Sequence, residues 1–345
     1  MNRRGKKWLI IGVISIGIIT AIGLYLFDSK NPLDANSEEV KIELSVIHLS
    51  GTDLISDTIR FNSLLKSEPE TINLLTNNYK TFNTQDTSSI EVWKSFFDQT
   101  YVKSTEEEIR KVFNNYNKVS KNLIEVFKRL KFHFPDKKYP NKIIFTNTNF
   151  GGNVYLENGI IVVGSERYIG GSNKVVQNSL PPDAFPKWLK SGFEKKYLLR
   201  DLLMSTLIYN NTIPPNNQEN LISKIIDWGK ICVITEMALR IGNKNIDPEI
   251  LLRWTSEEYK WAEKNEKAFY KYLKINKLLF SSNEKDHAFI LNNGPYTIGF
   301  SEKSPDRLGQ YLGWKMVRNY IFEEELSLTE MVNIEYKDIL KKYNP

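Results

Sequence analysis

The sequence predicts a helix-rich α+β domain carried behind one membrane-spanning segment, and three observations carry that reading. Residues 8 to 27 form an uncharged apolar run; a few short segments alternate apolar and polar residues around turn formers; most of the remainder, above all from Phe193 onward, repeats apolar residues at helical spacing.

The apolar run holds seven isoleucines, three leucines, Val13 and Phe27, and its length suffices to cross about 30 Å of hydrocarbon as a helix. Twelve large apolar residues at about −0.5 kcal/mol each favour insertion by roughly 6 kcal/mol. Arg3, Arg4, Lys6 and Lys7 precede the run and no acid comes before Asp28, so residues 1–7 are expected in the cytoplasm and the rest across the membrane, in the periplasm. The run exceeds the usual apolar core of a cleavable signal peptide and lacks a small-residue cleavage site, which favours a retained anchor over 8–27. Asp28 to Glu39 is polar, contains Pro32, and reads as a tether to an exported domain over 40–345.

Within that domain, Val40, Ile42, Leu44 and Val46 alternate with polar neighbours and predict a strand. Ser104 with Glu107 predicts a capping box opening one long amphipathic helix through Ile109, Val112, Tyr116, Val119, Leu123, Phe127 and Leu130. Between Lys142 and Gly164 the period shortens, and Asn158-Gly159 between two β-rich runs predicts a hairpin in a small antiparallel or mixed sheet. Thr255 with Glu258, and Ser327 with Glu330, predict two further capped helices. Ser304-Pro305-Asp306 predicts a helix start, and Gly309 and Gly313 then clear one face of that helix. Such a face invites close packing against another element. The functional reading is a partner groove with Arg307 on its rim and Trp314 beside it.

Composition narrows the chemistry. Subtracting the four leading cations from the formal charge of +6 leaves +2 from Asp28 onward, too weak and too scattered to predict nucleic-acid binding. One cysteine, Cys232, excludes an intramolecular disulfide, a CxxC centre and a lipidated cysteine after the apolar run. His48, His133 and His287 show no metal-ligand spacing, and no G-x-S-x-G elbow nominates a nucleophile. Asn149 to Asn153 is glycine-rich but lacks the Lys-Ser/Thr of a phosphate loop. No cofactor is predicted.

A set of local patterns carries a resemblance. They are Asp227-Trp228-Gly229-Lys230, Trp261 to Glu266, Leu278 to Ser282, and Ser304-Pro305 followed by Arg307, Gly309, Leu312-Gly313-Trp314, Val317-Arg318 and Tyr320; Phe134-Pro135, the hairpin region to Tyr168, and Pro186 extend it upstream. In these the chain resembles GldB, the gliding-motility lipoprotein family of the Bacteroidetes. The chain departs from that pattern in lacking the lipidated cysteine, and a transmembrane anchor would replace it. The family looks related to zinc-dependent peptidases of the zincin type, which implies a zincin-like domain. In the register this implies, the metal-binding pentapeptide falls on Arg200-Asp201-Leu202-Leu203-Met204, and Asp227 stands where a third ligand would come. Arginine at the first ligand position and methionine at the second cannot hold zinc, which needs three protein ligands and an open site. An Arg200–Asp227 ion pair is the expected filling.

The resemblance thus implies a non-catalytic scaffold or binding module of gliding motility or its secretion machinery, with envelope protein partners. The alternative is an envelope hydrolase, peptidase or glycosidase, using carboxylates such as Glu166, Asp201 and Asp227; paired carboxylates cleave glycosides when about 5 to 9.5 Å apart.

Overall fold

The computed structural model describes residues 31–74, 90–215, 219–241 and 244–345. The predicted basic tail and membrane segment, 1–27, lie outside the described residues, as does the start of the tether. Among the described residues no helix is long and apolar enough to cross a membrane.

Four strands form one mixed sheet: β1 (Ser45–His48), β2 (Lys142–Thr146), β3 (Val154–Glu157) and β4 (Ile160–Gly164), in the order β1-β2-β4-β3. The first three in that order run parallel, while β3 is antiparallel to β4. Their hairpin turns on Asn158 (φ 50°) and Gly159 (φ 80°), the left-handed pair a tight two-residue loop requires. The first strand starts at Ser45 rather than Val40, because only there does the backbone find Lys142 to pair with.

Alternation along the buried strands divides the interior in two. Ile143, Phe145, Ile161 and Val163 face the large helical core, while Ile144, Ile160 and Val162 face a smaller cluster built on Leu54, Phe61, Trp93 and Phe97. The smaller cluster is supplied by α1 (Gly51–Ile55), α2 (Thr58–Ser67), α3 (Pro69–Asn73) and α4 (Ile90–Phe97).

The long helix predicted from Ser104 is two helices, α5 (Thr100–Val112) and α6 (Tyr116–His133). The chain breaks at Phe113 and restarts at Asn115, whose side chain accepts from the Lys118 amide. Asparagine competes with the helical backbone in this way, which the apolar period alone does not register. Ser104 is consequently no cap: its hydroxyl donates to the Thr100 carbonyl one turn back.

Past the sheet come α7 (Lys174–Ser179), α8 (Lys187–Lys190), α9 (Leu198–Tyr209), α10 (Leu221–Leu239), α11 (Pro248–Leu252), α12 (Ser256–Ile275), α13 (Glu284–Leu291), α14 (Leu308–Glu323), α15 (Leu328–Met331) and α16 (Tyr336–Lys342). The capping boxes at Thr255 and Ser327 both form. Helix α14 begins three residues later than predicted. Ser304 instead accepts from the Thr297 amide and donates to the Ser301 carbonyl, so its capping capacity goes to a loop.

Candidate functional site

The helix predicted to carry the altered metal pentapeptide is α9, and its first turn is buried. Arg200 Nη1 lies 2.8 Å from Asp201 Oδ1, and Arg200 Nε donates to the Leu251 carbonyl at 2.9 Å. The second carboxylate oxygen of Asp201 accepts from Tyr168 Oη at 3.0 Å and Asn153 Nδ2 at 3.2 Å, with Arg253 Nη1 at 3.3 Å. Four segments remote in sequence therefore converge on one carboxylate: the β3 approach, the turn after β4, α9, and the end of α11. Burial by itself would raise the Asp201 pKa, but the Arg253 and Arg200 guanidiniums, helped by the Tyr168 hydroxyl, outweigh it and hold the acid below the ordinary aspartate range. Asp201 is thus a fixed anion and neither a free base nor an open metal ligand.

The expected Arg200–Asp227 pair does not form. Asp227 shares a face of α10 with Lys230, three residues on, and Lys230 Nζ is bonded to the carbonyls of Val332 (3.1 Å) and Ile334 (2.7 Å). That face looks onto a separate cavity of about 310 Å³ bounded also by Pro214, Pro215 and Tyr336. Burial pushes the Asp227 carboxyl up to about 6, against the pull of Lys230. Met204 is in the core. Of the four positions expected at an altered metal site, only Arg200 and Asp201 come together.

The glycine face of α14 is used for packing. A Cβ on Gly313 would fall against the Ile225 carbonyl, one on Gly229 against the Gly313 carbonyl, and one on Gly309 against Ile290 and Leu291. Helices α10 and α14 cross here with their backbones in contact, a separation only hydrogen side chains permit. Trp314 is also interior, donating to Glu236 Oε2 at 2.8 Å, and Arg318 Nε bonds the other oxygen at 3.0 Å. Arg307 is 6 % exposed and pairs with Asp306 at 2.9 Å.

Beside the Asp201 network lies a small cleft of about 110 Å³, between the α8 turn, the α11–α12 junction and the loop entering α14. Arg253 and Arg307 both line it, and both hold the left-handed conformation, with φ of 54° and 55°. That costs a residue bearing a Cβ on the order of 1–2 kcal/mol, so the surrounding structure imposes it. Arg253 occupies the helix-end position where glycine is usual. Its guanidinium lies 5.2 Å from the Tyr197 ring centroid and also donates to the Gly192 carbonyl; a Cβ on Gly192 would collide with it. Arg253, Tyr168 and Asn153 escaped sequence reasoning. No sequence signal marks the first, because arginine seldom ends a helix in the left-handed region.

A second group of buried acids is hydrogen-bonded by neutral donors. Glu166 accepts from the amides of Thr148 and Phe150 and from the Thr148 hydroxyl at 2.6 Å, all neutral donors, and burial raises its pKa despite them. Glu106 accepts from Ser50 Oγ at 3.0 Å, and burial lifts its carboxyl to about 7. Among the described residues, no cluster of three or more His, Cys, Asp or Glu is arranged to hold a metal ion. His48 stacks on Tyr116 at 4.3 Å, and His287 is bonded to the Ser281 carbonyl. Cys232 is buried, with its thiol pushed up to about 12.

No curated protein matches this chain, and no solved structure does. The family model described as gliding motility protein GldB matches residues 30–345, the whole of the region predicted as tether and exported domain apart from its first two residues. The chain belongs to the GldB family of gliding motility proteins.

Proposed function

We propose that this protein is a non-catalytic binding module of the gliding-motility apparatus or its associated secretion machinery, held at the cell envelope and working through contact with envelope proteins. On this reading its domain is zincin-like, and the helix that would supply a metal ligand and a general base supplies a closed ion cluster instead. The observation that carries the proposal is the Asp201 carboxylate, 3 % exposed and saturated by Arg200, Arg253, Tyr168 and Asn153. A carboxylate so held cannot take a proton from water near neutral pH.

The anchor in this reading is the apolar segment from Trp8 to Phe27, standing in for the lipid of other family members. The one cysteine in the 345 residues is Cys232, in the core. The hydrolase alternative draws no support from the geometry: Glu166 and Asp201 are enclosed by their own partners, and Asp227 faces a different cavity. The test is genetic. Deleting the gene is expected to abolish colony spreading, and a wild-type copy to restore it. Normal gliding in the deletion strain would refute the assignment.

A further inference from the structure

The cleft lined by Arg253 and Arg307 is a site in its own right. Three guanidiniums, Arg200, Arg253 and Arg307, stand against two carboxylates, Asp201 and Asp306. Both carboxylates have their oxygens occupied: Asp306 accepts from Trp254 Nε1 and from the Gly294 amide, each at 3.1 Å, besides Arg307. At the rim, Glu258 is turned onto the Thr255 amide at 2.7 Å as part of its helix cap. Acceptors are exhausted while donors are not. Each guanidinium carries five N–H groups, and buried Arg307 Nε finds no partner among the described residues. Helix α14 opens at the same place, with its Leu308 amide donating to Thr297 Oγ1 at 3.2 Å. The remaining walls are aromatic: Tyr197, Trp254 and, at the mouth, the part-exposed Trp188.

We propose that this cleft binds a carboxylate, presented by an extended segment of a protein partner as its C-terminus or as an acidic side chain. The inference rests on the binding-module reading and names what that module recognises. With Glu258 counted the corner is neutral, so a monoanion adds one negative charge there, whereas a dianionic phosphate would add two beside Asp306 and Glu258 in the same small space. A volume of about 110 Å³ holds roughly three to four waters at about 30 Å³ each, room for a carboxylate and a short apolar neighbour against the tryptophans. Arginine presents a rigid planar fork that matches the two oxygens of a carboxylate.

The experiment titrates the purified exported domain, labelled with nitrogen-15 at its tryptophan indoles, with four probes. These are an acetylated leucine-ended tripeptide with a free C-terminal carboxylate, the same peptide amidated, an amidated tripeptide with an internal glutamate, and inorganic phosphate. The Trp254 and Trp188 indole signals should move with either carboxylate peptide, at a dissociation constant on the order of 1 mM, and should stay still with the neutral amide. Which carboxylate peptide binds more tightly tells a C-terminus from a side chain. Arg253→Lys should weaken binding about tenfold by replacing a fork with a point donor. Trp188→Ala, at an exposed rim position, should weaken it two- to fivefold without disturbing the fold, which keeps the test decisive if the arginine variant fails to fold. Equal shifts with the amide, preference for phosphate, or no shift at 10-fold excess over the expected constant would overturn the proposal. A gene deletion with normal gliding would remove the motility role without touching these titrations, so the two failures are distinguishable.

Discussion

Asp201 and Glu106 are both acids in the interior, 3 % and 1 % exposed, and the structure treats them in opposite ways. Asp201 is met by two guanidiniums and stays ionised; Glu106 is met by a serine hydroxyl, keeps one oxygen without a partner among the described residues, and is lifted to about 7. Neutral hydrogen bonds do not overcome desolvation at Glu106, nor do three of them at Glu166. Cations overcome it at Asp201. The difference shows which buried charge the fold has built around and which it merely tolerates.

Substitution should expose that contrast most strongly at Asp201. Asp201→Ala leaves Arg200 and Arg253 facing each other without their carboxylate, and the loss of a buried partner costs about 3–5 kcal/mol. Chemical denaturation of the exported domain should show that loss. A change below 1 kcal/mol would mean the network is solvated and the cluster has no structural weight.

The pH dependence of stability should separate the two acids by sign. Asp201 has a depressed pKa when folded, so its contribution is complete above the ordinary aspartate range and is lost as pH falls through its lowered value. Glu106 is raised to about 7, so the folded protein binds its proton more tightly than the unfolded chain does. Stability from this group therefore declines as pH rises from about 4.5 to about 7, by roughly 3 kcal/mol. Glu106→Gln should flatten that decline, read from melting curves across the range. An unchanged profile would show that Glu106 is ionised throughout.

Smaller again is the effect expected at Gly192, whose missing side chain makes room for the Arg253 guanidinium. Gly192→Ala should push that flexible group aside and cost about 1–2 kcal/mol, with a matching loss of carboxylate binding in the cleft. Full retention of both would place the guanidinium elsewhere.

The sequence disclosed the helix-rich α+β class, the hairpin at Asn158-Gly159 and two of three capping boxes because each follows from residues a few positions apart. Where it erred, a local competitor had won: Asn115 restarting a helix, or Ser304 bonding a loop. The sequence reading singled out Arg200 and Asp201 but paired Arg200 with Asp227, since the rotation of α10 that turns Asp227 toward Lys230 and the 332–334 segment is a tertiary fact. The tight approach at Gly313 was legible from its spacing with Gly309, yet Gly229 as its counterpart across the α10 crossing was not. Arg253 left no readable trace, because its role depends on a left-handed backbone that arginine seldom adopts.

The central claim is that guanidiniums, and no metal, neutralise the carboxylate of α9. Metal analysis of the purified exported domain by mass spectrometry, with melting curves before and after chelation, tests it most directly. The account predicts well under one equivalent of zinc or any other transition metal and an unchanged melting temperature. A stoichiometric ion that survives dialysis, and whose removal lowers the melting temperature, would contradict it.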